Sequence, residues 1–141
     1  MSESLKKLYN HLILDRQKDL SNFEKNENAQ ITLEAYNPVC GDQFKLYLDF
    51  DNNTISKASY YGYGCSLSRA STSLLVELLP GKSGKEVLEC IQSYYRQLED
   101  DKEDRSELIK ALSMAKEFPG RKQCVVLSWD TVKHFIQNKR A

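Results

Sequence analysis

The chain lacks any apolar run long enough to cross a bilayer, and its start, Met1-Ser2-Glu3-Ser4-Leu5-Lys6-Lys7, has no secretory core behind the lysines. A soluble, cytoplasmic protein in a reducing compartment is the expectation. Charge of one sign is lacking too: 20 basic and 20 acidic residues cancel, so no basic excess marks a nucleic-acid footprint. Histidine is scarce: His11 and His134 have no metal-type spacing and read as ordinary helix residues, and no histidine base is paired with a serine in a recognised motif. Cysteine occurs four times, with no CxxC knuckle. A chain of 141 residues buries a core without disulfide staples, so metal binding or reactivity is the better use of these thiols.

The sequence reads as a single domain over 1–141, with an N-terminal helix and connection over 1–30 and a core over 31–138. Leu5, Leu8, Leu12 and Ile13 recur at helical spacing, predicting a first helix from about Glu3 to Leu20. The polar, Asn-rich stretch from Asp15 to Gln30 reads as its connection. From Ile31 the period changes to two. Ile31, Leu33 and Ala35 alternate with polar neighbours, as do Phe44, Leu46, Leu48 and Phe50, and Ile55 to Tyr63 is β-branched and aromatic. Asp51-Asn52-Asn53 suits a hairpin turn tolerant of positive φ.

Helices are predicted for the remainder. One covers Ser66 to Leu79 and stops at Pro80-Gly81; the next opens on Ser83-Gly84-Lys85-Glu86, a capping box. A third runs from about Arg105 to Glu117 with Asp104 as cap, after a charged loop over Glu99 to Asp104. A last is striped by Val125, Trp129, Val132 and Ile136. Strands followed by a run of helices give an α+β fold.

Three thiols stand where a loop meets a regular element: Cys40 in Pro38-Val39-Cys40-Gly41-Asp42, Cys65 in Gly62-Tyr63-Gly64-Cys65, and Cys124 after Phe118-Pro119-Gly120-Arg121-Lys122-Gln123. Cys40 and Asp42 leave an extended segment on one side. Cys65 and Cys124 each open a helix, where unpaired amides and the macrodipole favour a thiolate. Three thiolates and a carboxylate suit a tetrahedral Zn²⁺, and an iron–sulfur cluster accepts the same set. Arg121 and Lys122 are placed to offset the negative charge. Cys90, three residues after Val87 and four before Tyr94, reads as core packing. Ser68, Ser71 and Ser73 read as helix packing, and Tyr60, Tyr61 and Tyr63 as sheet packing rather than a stacking platform.

At these residues the sequence resembles the iron–sulfur scaffold superfamily of IscU, the NifU N-terminal domain and SufU. The motifs are Asn37-Pro38-Val39-Cys40-Gly41-Asp42, Gly62-Tyr63-Gly64-Cys65-Ser66-Leu67-Ser68-Arg69-Ala70-Ser71-Thr72-Ser73, and Phe118-Pro119-Gly120-Arg121-Lys122-Gln123-Cys124. The likeness is to the SufU branch: about 58 residues lie between Cys65 and Cys124, a span matching that branch's insert, and Gln123 stands where IscU members have histidine.

The resemblance implies a three-stranded antiparallel sheet covered by four to five helices, with Zn²⁺ held by Cys40, Asp42, Cys65 and Cys124. It implies a sulfur carrier rather than a conventional enzyme, with Cys40 accepting sulfane sulfur from a SufS-type cysteine desulfurase. Arg121 would aid docking or steady the thiolates, and sulfur would pass to downstream Suf machinery or apo iron–sulfur proteins. A [2Fe–2S] scaffold on the same ligands, or a zinc-stabilised interaction module, are the alternatives. The IscU chaperone-recognition segment, Leu-Pro-Pro-Val-Lys, survives only as Pro119-Gly120-Arg121-Lys122, so the resemblance does not extend to an Hsp70-type partner.

Overall fold

A computed structural model describes residues 3–39, 41–99, 106–117 and 120–139. The order is α1 (Glu3–Lys18), β1 (Ile31–Asn37), β2 (Asp42–Asp51), β3 (Thr54–Tyr63), α2 (Ser66–Leu78), α3 (Gly84–Glu99), α4 (Glu107–Ser113), a short 3₁₀ turn (Met114–Glu117) and α5 (Lys122–Lys139). The strands form an antiparallel meander, β1-β2-β3. It is the α+β arrangement expected.

Alternation in the sheet does the sorting. Ala35, Phe44, Leu46, Leu48, Ala58 and Tyr60 point inward and are buried, while Glu34, Tyr36, Gln43, Lys45, Tyr61 and Tyr63 on the other face are exposed. The tight turn works as predicted, with Asn52 and Asn53 at φ 51° and 68°. The inner face is covered by α2 against β3 and by α5 against β1 and β2.

Helix α2 lies close on α5 because its facing side chains are small and hydroxylated. The Ser71 hydroxyl donates to the Val125 carbonyl at 2.6 Å and accepts from the Trp129 indole N–H at 2.8 Å, and Thr72 and Ser128 share a hydrogen bond of 2.7 Å. Tyr94 of α3 adds a second donor to the Val125 carbonyl at 2.7 Å and stacks on Trp129 with ring centroids 3.6 Å apart. Every polar atom named in this buried seam has a partner, as a low-dielectric site requires. Helix α1 packs on α2 and α4, and Arg16 reaches Ser73 and Glu77 to fix it.

Several expectations change. Helix α1 includes residues 15–18, and the segment behind it is more than a connection. Phe23 bridges Tyr60 in parallel: the Tyr60 N–H donates to the Asn22 carbonyl and the Glu24 N–H to the Tyr60 carbonyl, each at 2.9 Å, covering part of the free edge of β3. Helix α4 is capped by Ser106, whose hydroxyl accepts from the Ile109 N–H at 3.2 Å. The expected cap Asp104, Arg105 and most of the charged loop lie outside the described residues. Of the three tyrosines in β3, Tyr60 is core, whereas Tyr61 and Tyr63 stand on the open face.

Candidate metal centre

Three elements end at one point. Strand β2 begins at Asp42, α2 is capped by Cys65, and Cys124 is in the first turn of α5. The close α2–α5 seam brings the two helix N-termini together, since Ser71 grips the carbonyl of Val125, the residue after Cys124. One oxygen of Asp42 and the sulfurs of Cys65 and Cys124 all lie within 4.8 Å of one another. Asp42 and Cys124 are buried and Cys65 is partly so.

The loop before Asp42 is set by Asn37, whose side-chain oxygen accepts from the Val39 N–H at 3.0 Å and whose carbonyl accepts from the Gly41 N–H at 2.8 Å. Gly41 takes φ 76°, so the backbone turns just before Asp42 where an extended segment was expected. Asp42 Oδ1 then accepts the Cys65 N–H at 3.0 Å, so the carboxylate occupies the N-terminus of α2. Cys65 itself makes no side-chain cap, which leaves its sulfur turned to another use. Gly64 allows the approach: a Cβ there would sit 2.5 Å from Ser68 Oγ and 2.7 Å from Asp42 Oδ1.

The donor set fits a divalent soft-to-borderline metal. At bond lengths of about 2.3 Å to sulfur and 2.0–2.2 Å to oxygen, tetrahedral ligand atoms stand roughly 3.3–3.8 Å apart, within a small side-chain adjustment of the observed cluster. Two sulfurs with one oxygen suit zinc or an iron–sulfur cluster better than magnesium or calcium. Two converging helix N-termini offset the negative charge of such ligands.

Of the residues singled out in the sequence, Asp42, Cys65 and Cys124 are brought together. Cys40 lies outside the described residues. Arg121 is exposed at the start of α5, and its carbonyl accepts the Cys124 N–H at 3.0 Å. Lys122 does not face the thiols as expected: its ammonium pairs with Glu99 at the end of α3, 2.8 Å away. Cys90 is half-buried against the core, and burial pushes its thiol above the ordinary range. His11 pairs with Asp15 at 3.2 Å and His134 is exposed, both ordinary helix residues.

Ser71 packs helices as expected, but Ser68 does not merely pack. It is fully buried, with its hydroxyl 3.0 Å from the Cys65 carbonyl and 3.6 Å from the Cys65 sulfur. Its place three residues after Cys65, within the first helical turn, was the signal available.

Residues 8–139 match the family described as the NifU-like N terminal domain. The chain belongs to that family. It is 29% identical over 134 residues to the iron–sulfur cluster assembly scaffold protein IscU of Thermotoga maritima, covering 94% of each chain. To the zinc-dependent sulfurtransferase SufU of Bacillus subtilis it is 31% identical, covering 92% of this chain and 90% of that one. Among solved structures, a candidate iron–sulfur cluster assembly scaffold protein for the SUF system from Fervidobacterium islandicum superposes with a TM-score of 0.78 at 32% identity, over 91% of this chain and 96% of the other. This NifU-like domain is therefore a member of a cluster-assembly family, and none of its described helices is long and apolar enough to cross a membrane.

Proposed function

We propose that this NifU-like domain is a zinc-binding sulfur acceptor in iron–sulfur cluster assembly, taking persulfide sulfur from a SufS-type cysteine desulfurase through Cys40. The observation that carries the reading is the convergence of Asp42, Cys65 and Cys124 donor atoms within 4.8 Å, on the ends of three elements. These residues would hold the ion, with Cys40, two positions before Asp42, as the fourth ligand. Zinc bound there supplies a Lewis-acidic centre that keeps ligating sulfurs deprotonated at neutral pH. The likeness to the protein named a zinc-dependent sulfurtransferase supports the same choice over a structural module.

The transfer is a thiol exchange. The Cys40 thiolate attacks the terminal sulfur of the desulfurase persulfide, a new S–S bond forms on Cys40, and the desulfurase cysteine leaves as a thiolate. No net oxidation occurs. Arg121, exposed and three residues before Cys124, would aid docking of the partner or steady the thiolates. In this reading the sulfur would pass on to Suf machinery or apo iron–sulfur proteins in a reducing cytoplasm.

Mixing the zinc-loaded protein with a cysteine desulfurase and radiolabelled cysteine tests the reading. Label should enter the unaltered protein and be lost with Cys40→Ser, along with stimulation of the desulfurase. Labelling that survives Cys40→Ser overturns the role of Cys40. A visible chromophore after anaerobic reconstitution, passing to an apo-ferredoxin, would assign instead the [2Fe–2S] scaffold role borne in the Thermotoga relative's name.

A further inference from the structure

Ser68 is the third residue of α2 and is fully shielded from solvent, with its hydroxyl directed back over the helix end. Three groups surround that oxygen. The Cys65 carbonyl accepts from it at 3.0 Å, and the Cys65 sulfur lies at 3.6 Å. The third is Gly64, whose missing Cβ leaves room for both Ser68 Oγ and Asp42 Oδ1 around one point. A hydroxyl has one hydrogen to give and rotates to place it. As the geometry stands, the hydrogen goes to the carbonyl and the serine oxygen receives the Cys65 S–H.

A sulfur that ligates a metal has no hydrogen to give. The one hydrogen bond then open to the pair runs the other way, from the serine O–H to sulfur. Leaving the Cys65 carbonyl is tolerable, because that carbonyl also accepts the Arg69 N–H at 3.0 Å within the helix. We propose that Ser68 is a positioning residue of the centre, whose hydroxyl turns from the Cys65 carbonyl to the Cys65 sulfur when that sulfur binds a metal. This rests on the metal-binding reading above and adds a specific role for a residue outside the ligand set. The hydrogen bond fixes the direction of the sulfur and draws electron density from it, as hydrogen-bonded partners behind metal ligands do.

Zinc and cobalt(II) are the probes. Ser68→Ala should weaken zinc binding by about tenfold or more in competition with a chromophoric chelator, the range for loss of such a partner. It should also move the sulfur-to-cobalt charge-transfer band to lower energy, because a sulfur without the hydrogen bond gives up its electrons more readily. Ser83→Ala, which removes the capping hydroxyl at the start of α3 and touches none of the proposed ligands, should lower thermal stability and leave the band in place. A merely structural role for Ser68 predicts the Ser83→Ala behaviour for both.

If Ser68→Ala binds with unchanged affinity and an unchanged band, the role of Ser68 fails while the metal centre stands. If the unaltered protein takes up neither ion through sulfur, the proposed function fails and this inference with it. Should Ser68→Ala not fold, a crystal structure of the zinc-loaded unaltered protein decides. The Ser68 Oγ should lie at or within the present 3.6 Å of the zinc-bound Cys65 sulfur, the reach of an O–H···S bond; a longer separation overturns the proposal.

Discussion

Gly64 shows how a single hydrogen in place of a side chain shapes the centre. The Asp42 carboxylate reaches the Cys65 amide past Gly64, and the Ser68 hydroxyl packs on the same spot. A methyl group at Gly64 would stand 2.5 Å from Ser68 Oγ, 2.7 Å from Asp42 Oδ1 and 3.0 Å from the Phe44 ring, so these groups must part. Gly64→Ala should therefore weaken zinc binding by at least tenfold and cost about 1–3 kcal/mol of stability, the usual range for overpacking. Gly84→Ala is the comparison. Its added Cβ meets the Ile136 methyl at an ordinary 3.4 Å, in the first turn of α3 where alanine is a better helix former. Zinc titration and thermal melts of the two variants check both claims; equal zinc affinity in Gly64→Ala would show that the carboxylate is not held by this approach.

At the scale of elements, the start of α3, at the opposite end of that helix from the Glu99–Lys122 pair, tests the fold apart from the centre. Its capping box is complete: the Ser83 N–H donates to Glu86 Oε1 at 3.1 Å and the Glu86 N–H to Ser83 Oγ at 3.3 Å. The Ser83 backbone N–H first, and then the Ser83 hydroxyl, hold the Glu86 carboxyl below its ordinary value of 4.5. A carboxyl depressed by folding stabilises above its unfolded pKa, and that help fades as pH falls through the lower folded one. Ser83→Ala should cost about 1 kcal/mol at neutral pH, with a smaller difference from the unaltered protein in acid; denaturant melts at two pH values measure it, and a difference that grows in acid refutes the assignment. This box was legible in the sequence because it is local, as were the strands, whose period of two survives wherever one face is buried. The pairing of Phe23 with Tyr60 was not, since no alternation surrounds Phe23 in its polar stretch and the contact is made by backbone. Motif placement suggested that Asp42, Cys65 and Cys124 meet, yet spacing alone cannot supply the hydroxyl seam of Ser71 and Thr72 that draws α2 onto α5. Lys122 was misplaced because its partner, Glu99, comes from a helix 23 positions earlier.

For the whole molecule the deciding question is whether folding needs the ion. The apolar core cluster runs from Ile13 through the sheet to Ile136 and draws on every layer, and Asp42, Cys65 and Cys124 are not part of it. Hydrophobic burial on that scale holds a chain of this length without a metal staple. The Asp42 carboxylate also accepts the Cys65 amide N–H, a bond made within the chain itself, so removing zinc does not leave it a bare buried charge. Chelation should therefore leave the far-ultraviolet circular dichroism and a cooperative melt in place. Zinc at a hundred times its dissociation constant should add about 2.7 kcal/mol by mass action, which for a domain of this size raises the melting temperature by roughly 5–10 °C. Loss of helical signal on chelation would contradict this and make zinc a structural staple, a role in which the ion contributes folding energy outright. A retained fold is what sulfur acceptance requires, because a protein that must free one ligand at each turnover has to keep α2, α5 and β2 in place while it does so.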